Sequence, residues 1–160
     1  MSTVSSSIDA VADELAIRDL VQRYCDATTR LDARGVVECF AADGEWSYLQ
    51  VGHPRGHDEM LPLFTALLDG WKGFLHVEPS GRILLHPTDR DRASGRWYVM
   101  EMGQRSDGTD LVVWGVNHDA YVREAGVWRI SRRRYDRLFM RMGRDELIVS
   151  PFPPDAPDIE

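Results

Sequence analysis

Apolar residues recur at helical spacing over the first part of this chain and alternate with polar ones over the second. From Ile8, the positions Val11, Leu15, Ile17, Leu20, Val21 and Tyr24 predict an amphipathic helix running to about Arg30. Ser7 stands where a cap belongs and Asp9 favours the first turn, so residues 1–7 read as a disordered lead. Asp32 caps a second, short helix carrying Val36, Val37 and Phe40. Residues 42–44 read as a turn, 45–49 as a strand and 52–56 as a loop. A third helix is predicted from about His57, with Met60, Leu63, Phe64, Leu67 and Leu68 on one face. Pro62 falls early enough in it to be tolerated. After Gly73 the period changes to two. Residues 81–85, 95–103, 111–123 and 127–138 read as strands, with turns at 106–109 and 124–126.

Helices first and a meander of long strands last predict an α+β domain over residues 8–142. A curved, antiparallel or mixed sheet of this kind forms a cone closed by the three helices of the N-terminal half, a cystatin-like α+β barrel. Its interior is a natural small-molecule pocket. Residues 143–160 read as a Pro-rich tail, of which 150–157 are not expected to form regular structure.

Composition narrows the function classes. A chain of 160 residues with 43% hydrophobic and 28% charged residues fits one soluble domain. The net charge of -7 disfavours nucleic acid, which needs a basic surface. The run Arg132-Arg133-Arg134 does not change this, because strand geometry points Arg133 one way and its neighbours the other. Cys25 and Cys39 sit in helical, apolar surroundings and read as buried free thiols of a reducing cytosol. No signal-like start and no long apolar run is present, so a cytoplasmic protein without membrane partners is expected. Large residues on the outward sheet face, Tyr98, Met100 and Trp114, predict a homo-oligomer.

The candidate chemistry centres on His76, which lies where helix gives way to strand. An imidazole in apolar surroundings can take a proton near neutral pH without metal or cofactor. The five histidines lack the paired spacing of a zinc site, His53 and His57 being a weak exception, so no metal is expected. On the strand over 95–103, Trp97, Val99 and Glu101 share a face, and a desolvated Glu101 would be a usable acid or base. On the strand over 111–123, the set Val113, Gly115, Asn117 alternates with the more apolar set Trp114, Val116, His118. Apolarity favours the second set as interior, while Gly115 and Asn117 suit a pocket wall. His118 is therefore a rival histidine. Arg133, Tyr135 and Arg137 share a face of the last strand, and Tyr24 lies in the apolar stripe of the first helix.

Several motifs together resemble the SnoaL-like members of the nuclear-transport-factor-two-like superfamily. They are Ile17-Arg18-Asp19-Leu20 with Arg23-Tyr24, Phe40-Ala41-Ala42-Asp43-Gly44 with Trp46, His76, Gly95-Arg96-Trp97-Tyr98, and the stretch from Tyr121 to Ile130. The family includes scytalone dehydratase, bile acid 7α-dehydratase, a hexachlorocyclohexane dehydrochlorinase, polyketide cyclases, isomerases and non-catalytic binders. The resemblance implies a cofactor-independent lyase or isomerase acting on an apolar oxygenated small molecule such as a steroid, terpenoid or polyketide. Polyketide-cyclase chemistry or binding without turnover are the alternatives. It implies dimers or trimers, and it favours the Asn117 face as interior.

By the same resemblance His76 is the general base and Tyr48 a catalytic tyrosine. Tyr24, Thr29, Trp97, Asn117 and Arg137 fall to substrate binding. The acid that orients the histidine in these enzymes falls five residues after the Tyr24 position, where this chain has Thr29. A threonine supplies no negative charge. Glu101 from the facing strand is the expected replacement, with Asp26 and Asp32 as the other carboxylates within reach.

Overall fold

The computed structural model describes residues 2–159, with side chains described from Ser7 onward. Three helices, α1 (Ser2–Thr29), α2 (Ala33–Glu38) and α3 (Gly56–Leu68), accompany six strands. The strands are β1 (Phe40–Ser47), β2 (Trp71–Leu85), β3 (Arg92–Arg105), β4 (Asp110–Glu124), β5 (Val127–Met142) and β6 (Ile148–Val149). They form one sheet in the order β1-β5-β4-β3-β2, with β6 on the far end of β5. β1 runs parallel to β5 and the other pairs are antiparallel. The fold is mixed α+β as expected, but the curved sheet does not close into a barrel. Among the described residues no helix is long and apolar enough to cross a membrane.

α1 begins at Ser2, so residues 2–7, expected as a lead, lie within it; Met1 falls outside the described residues. Extending a helix already nucleated gains a hydrogen bond for each residue ordered. Ile17, Leu20, Val21, Tyr24, Ala27 and Thr28 form the stripe that α1 buries, at the expected three- and four-residue spacing. Ile8, Val11 and Leu15 lie off that stripe and are exposed. Asp32 caps α2 by accepting from the Gly35 amide at 2.9 Å.

All five predicted strands are longer than the sequence pattern indicates, and β1 and β2 also start well before their expected positions. Residues 42–44, expected as a turn, lie inside β1, whose register against β5 shifts between Phe40 and Glu45. A bulge absorbs the extra residues there and bends the strand. β2 begins at Trp71, ten residues before its expected start, with a bulge between Val77 and Ser80. Pro79 sits at that bulge, and β2 is an edge strand, the place where proline costs a sheet least.

The concave face of the sheet carries Trp97, Tyr121, Trp128 and Ile130 against Ile17, Leu20, Phe40, Trp46 and Phe64. Burial of each such side chain is worth about 1.5–3 kcal/mol. On the convex face, Val116 and His118 are also buried. The tail folds back over this region: Arg134 pairs with Asp155 at 2.9 Å, Arg96 donates to the Pro157 carbonyl, and the Phe152 ring meets His118 and Arg96. The tail therefore covers the outward set on β4 at His118, while Trp114 of the same set stays partly exposed.

Candidate active site

β2 presents His76 and Glu78 on one face, two residues apart, both directed into the molecule and both nearly fully buried. β3 places Glu101 directly opposite His76. Their side chains meet, with His76 Nδ1 2.8 Å from Glu101 Oε1. The other ring nitrogen, Nε2, lies 3.1 Å from Glu78 Oε1. The edge of the imidazole is thus held from both sides by carboxylates, and the Tyr24 ring packs across it at a centroid distance of 5.5 Å.

A second layer of buried charge fixes the first. Arg133 on β5 is fully buried. It donates to Glu78 Oε1 at 2.9 Å and to Asp119 at 2.7 and 2.8 Å. Asn117 donates to the same Glu78 oxygen at 3.0 Å. Tyr121 donates to Asp119 at 2.6 Å and accepts from the Trp97 indole at 2.8 Å. The Arg133 guanidinium also lies over the Tyr24 ring, 4.2 Å from its centroid. Each buried charge has its partner, which is the condition for keeping ions in a core.

The electrostatic consequences follow from these contacts. Burial works against a charged His76, but hydrogen bonds with Cys25, Glu101 and Glu78 hold its proton well above the usual imidazole range. Burial works against an ionised Glu78, yet Arg133 and His76 keep it below the usual carboxylate value. Burial raises Asp119, and Arg133 opposes that rise. Burial pushes the Tyr24 phenol up to about 12 and raises Tyr135 strongly, so both hydroxyls keep their protons at neutral pH.

His76 and Glu101 open onto a largely apolar cavity of about 240 Å³. Tyr24, Tyr48, Asn117 and Arg137, all expected at the substrate, line it as well. Tyr48 stacks edge-on to Tyr135 at 4.9 Å, and Tyr135 donates to Glu101 Oε2 at 3.3 Å. The Arg137 side chain has its Nε buried without a hydrogen-bond partner. The structure corrects two other expectations. Thr29 lies off the cavity wall: its hydroxyl accepts from the His76 amide at 3.1 Å and donates to the His76 carbonyl at 3.3 Å. It ties the edge strand to α1 and so positions the histidine through its backbone. Trp97 also lies off the wall, packed in the core against Gly81, with its indole on Tyr121.

Of the three carboxylates expected as replacements for the missing acid, Glu101 reaches His76. Asp26 pairs with Arg30 on the surface and Asp32 caps α2. Glu78 and Arg133 were not anticipated as site residues. The signal for Glu78 was its two-residue spacing from His76, hidden because Pro79 and Gly81 interrupt the strand pattern. His118, the rival histidine, faces the tail on the convex side, away from the cavity. Burial and the nearby Arg96 push it down to about 4, so it is neutral near pH 7.

Cys25, His76 and Glu78 bring potential ligand atoms within 4.8 Å of one another. They do not make a cation site, because the Arg133 guanidinium and the Asn117 amide already occupy Glu78 Oε1. A metal there would sit against a fixed positive charge.

Comparison with known proteins gives a consistent picture of the fold. The SnoaL-like domain family matches residues 9–134. Gamma-hexachlorocyclohexane dehydrochlorinase of Sphingobium indicum is 29% identical over 133 residues, covering 80% of this chain and 82% of that protein. Among solved structures, a scytalone dehydratase-like protein from Novosphingobium aromaticivorans superposes with a TM-score of 0.79 at 17% identity, covering 95% of this chain and 99% of the other. Hexachlorocyclohexane dehydrochlorinase LinA-type3 from Novosphingobium barchaimii superposes with a TM-score of 0.76 at 20% identity, covering 91% and 99%.

Proposed function

The chain belongs to the SnoaL-like domain family, and from that premise we propose that it is a cofactor-independent lyase acting on an apolar, oxygenated or halogenated small molecule. The observation that carries this reading is the His76–Glu101 contact at 2.8 Å in the wall of an apolar cavity. Proton transfer next to a leaving group needs a paired acid and base within hydrogen-bond reach of the substrate and little else. The phenol of Tyr48 and the guanidinium of Arg137 supply donors on the same wall for an oxygen or halide that gains negative charge. The apolar lining suits a steroid, terpenoid or polyketide skeleton. The resemblance to a dehydrochlorinase supports elimination as the reaction class.

The test uses the full chain with gamma-hexachlorocyclohexane and a panel of cyclic β-hydroxy ketones, following chloride release and enone absorbance. Conversion of a panel member, lost in Glu101→Gln and His76→Gln while binding persists, supports the lyase. Tight binding with no conversion across the panel assigns the cavity to a binding domain. Carbon–carbon bond formation in an open-chain polyketide probe, with no elimination, assigns it to a cyclase.

A further inference from the structure

Resting on the lyase reading above, we propose that the proton acceptor of this site is Glu101, through Oε2, and that His76 serves behind it as a fixed imidazolium. The reason is where the lone pairs point. Nδ1 of His76 is 2.8 Å from Glu101 Oε1 and Nε2 is 3.1 Å from Glu78 Oε1. The His76 side chain is 4% exposed and that of Glu78 is 0% exposed, so no substrate atom fits between Nε2 and its carboxylate. A neutral ring carries one N–H. Its bare nitrogen would then direct a lone pair at a carboxylate oxygen within hydrogen-bond distance. With both nitrogens protonated, both contacts become charge-assisted hydrogen bonds.

Glu78 cannot relieve this by turning away, since Arg133 and Asn117 both donate to the oxygen that faces His76. The cation is therefore imposed by the layer behind the site. Glu101 differs from the other carboxylates of the cluster. Its side chain is 19% exposed, against 0% for Glu78 and Asp119, and it lines the cavity. One of its oxygens is committed to His76. The other, Oε2, meets the Tyr135 hydroxyl at 3.3 Å.

The step balances with these groups. A lone pair on Glu101 Oε2 takes the proton from the substrate carbon. The C–H electrons form the new double bond, and the leaving group departs with its bonding pair. Glu101 becomes a neutral carboxylic acid, which returns the proton to a departing hydroxide or to solvent. While Glu101 is neutral, the positive charges of His76 and Arg137 face the developing anion, with the phenols of Tyr48 and Tyr135 beside it. The fixed cation stabilises the negative charge that forms as Glu101 works.

The groups that bear on the titration come from every surrounding element. Tyr24 and Cys25 reach His76 from α1, Glu78 from β2 and Glu101 from β3. Tyr135 and Arg137 from β5 and Tyr48 after β1 share the stretch of wall that Glu101 lines.

The deciding experiment is NMR on the labelled full chain, with His76 and Glu101 assigned through His76→Gln and Glu101→Gln. Long-range proton–nitrogen spectra report each ring nitrogen, and the carboxyl carbon reports Glu101. The expected result at pH 7 is a doubly protonated His76 beside an ionised Glu101, with the His76 midpoint lowered in Glu78→Gln. A bare ring nitrogen or a protonated Glu101 at pH 7 overturns the proposal, and the wild-type spectra decide this even where Glu78→Gln fails to fold. For a panel compound that is converted, Glu101→Gln loses about 100-fold or more in kcat. The acid limb of kcat/KM then coincides with the titration of the Glu101 carboxyl carbon in the same NMR spectra. An acid limb that instead follows loss of the second His76 ring proton overturns the proposal. An inert panel with the expected NMR result removes the lyase reading and leaves the charge assignment standing.

Discussion

Arg133 shows most directly how single residues hold this site together. Its guanidinium, with no solvent contact, neutralises Glu78 and Asp119 at once. Replacing it by Met leaves two buried carboxylates without a counter-charge, so Arg133→Met is expected to cost about 3–5 kcal/mol in a urea titration. An unchanged midpoint would mean that the two acids find other partners. His76 adds a pH dependence of definite sign. Its folded-state value is raised, so the folded chain holds this proton to higher pH than the unfolded chain, whose value is about 6.5. The stability it contributes is complete below about pH 6.5 and is lost as pH rises through the raised value. Melting curves of His76→Gln should show a flatter alkaline decline than the parent chain. Identical slopes would place the charged pair elsewhere.

At the scale of elements, the strands carry the geometry and small irregularities aim it. The bulge between Val77 and Ser80 falls immediately after His76 and spans Glu78, so β2 delivers both residues inward at the point where it bends. Gly115 on β4 leaves room for Tyr135: a Cβ there would lie 2.5 Å from a ring carbon of that tyrosine. Gly115 was expected to leave room for a ligand, and the neighbouring strand uses that space instead. Gly115→Ala should push Tyr135 off Glu101 and cost about 1–3 kcal/mol. Retention of the Tyr135–Glu101 hydrogen bond in a crystal structure of the variant would contradict this. The tail supplies another prediction. His118 beneath it is held down to about 4, whereas in the unfolded chain it protonates near about 6.5. The unfolded chain takes up a proton that the folded chain refuses, so stability falls as pH drops from about 6.5 to about 4. Removing residues 143–160 should expose His118 and raise its NMR titration midpoint. A midpoint that stays low would show that burial in the sheet and the arginines beside it, not the tail, depress it.

At the scale of the molecule, one face of the sheet is covered and the other only partly so. Helices close the concave side around the cavity, while the tail covers the convex side near His118. Beyond the tail, Tyr98, Trp114, Phe139 and Met102 remain between 37% and 46% exposed. A surface of this kind is expected to be covered by another copy of the chain. Light scattering should report an assembly, and Trp114→Glu with Phe139→Glu should lower its mass while leaving the site untouched. A monomeric parent chain at micromolar concentration would remove this expectation.

The sequence by itself determined the class of fold, because helical and alternating periods survive whatever the chain packs against. It also brought Glu101 forward as the partner of His76, since strand alternation fixes which residues share a face. It could not determine the inner face of β4, where both sets are partly apolar; the tail, remote in sequence, packs on His118 of the second set. Nor could it extend β2 back to Trp71, because Pro79 and Gly81 break the period at a bulge that only pairing with β3 sustains. Asp26 and Asp32 stood behind Glu101 as alternatives, and the structure sets them apart: Asp26 pairs with Arg30 and Asp32 caps α2. Glu78 and Arg133 belong wholly to the tertiary structure. They lie 55 positions apart along the chain, and their contact arises where β2 and β5 face each other across the curved sheet. Burial turns that contact into an electrostatic constraint, since charge removed from water is governed by its nearest partners.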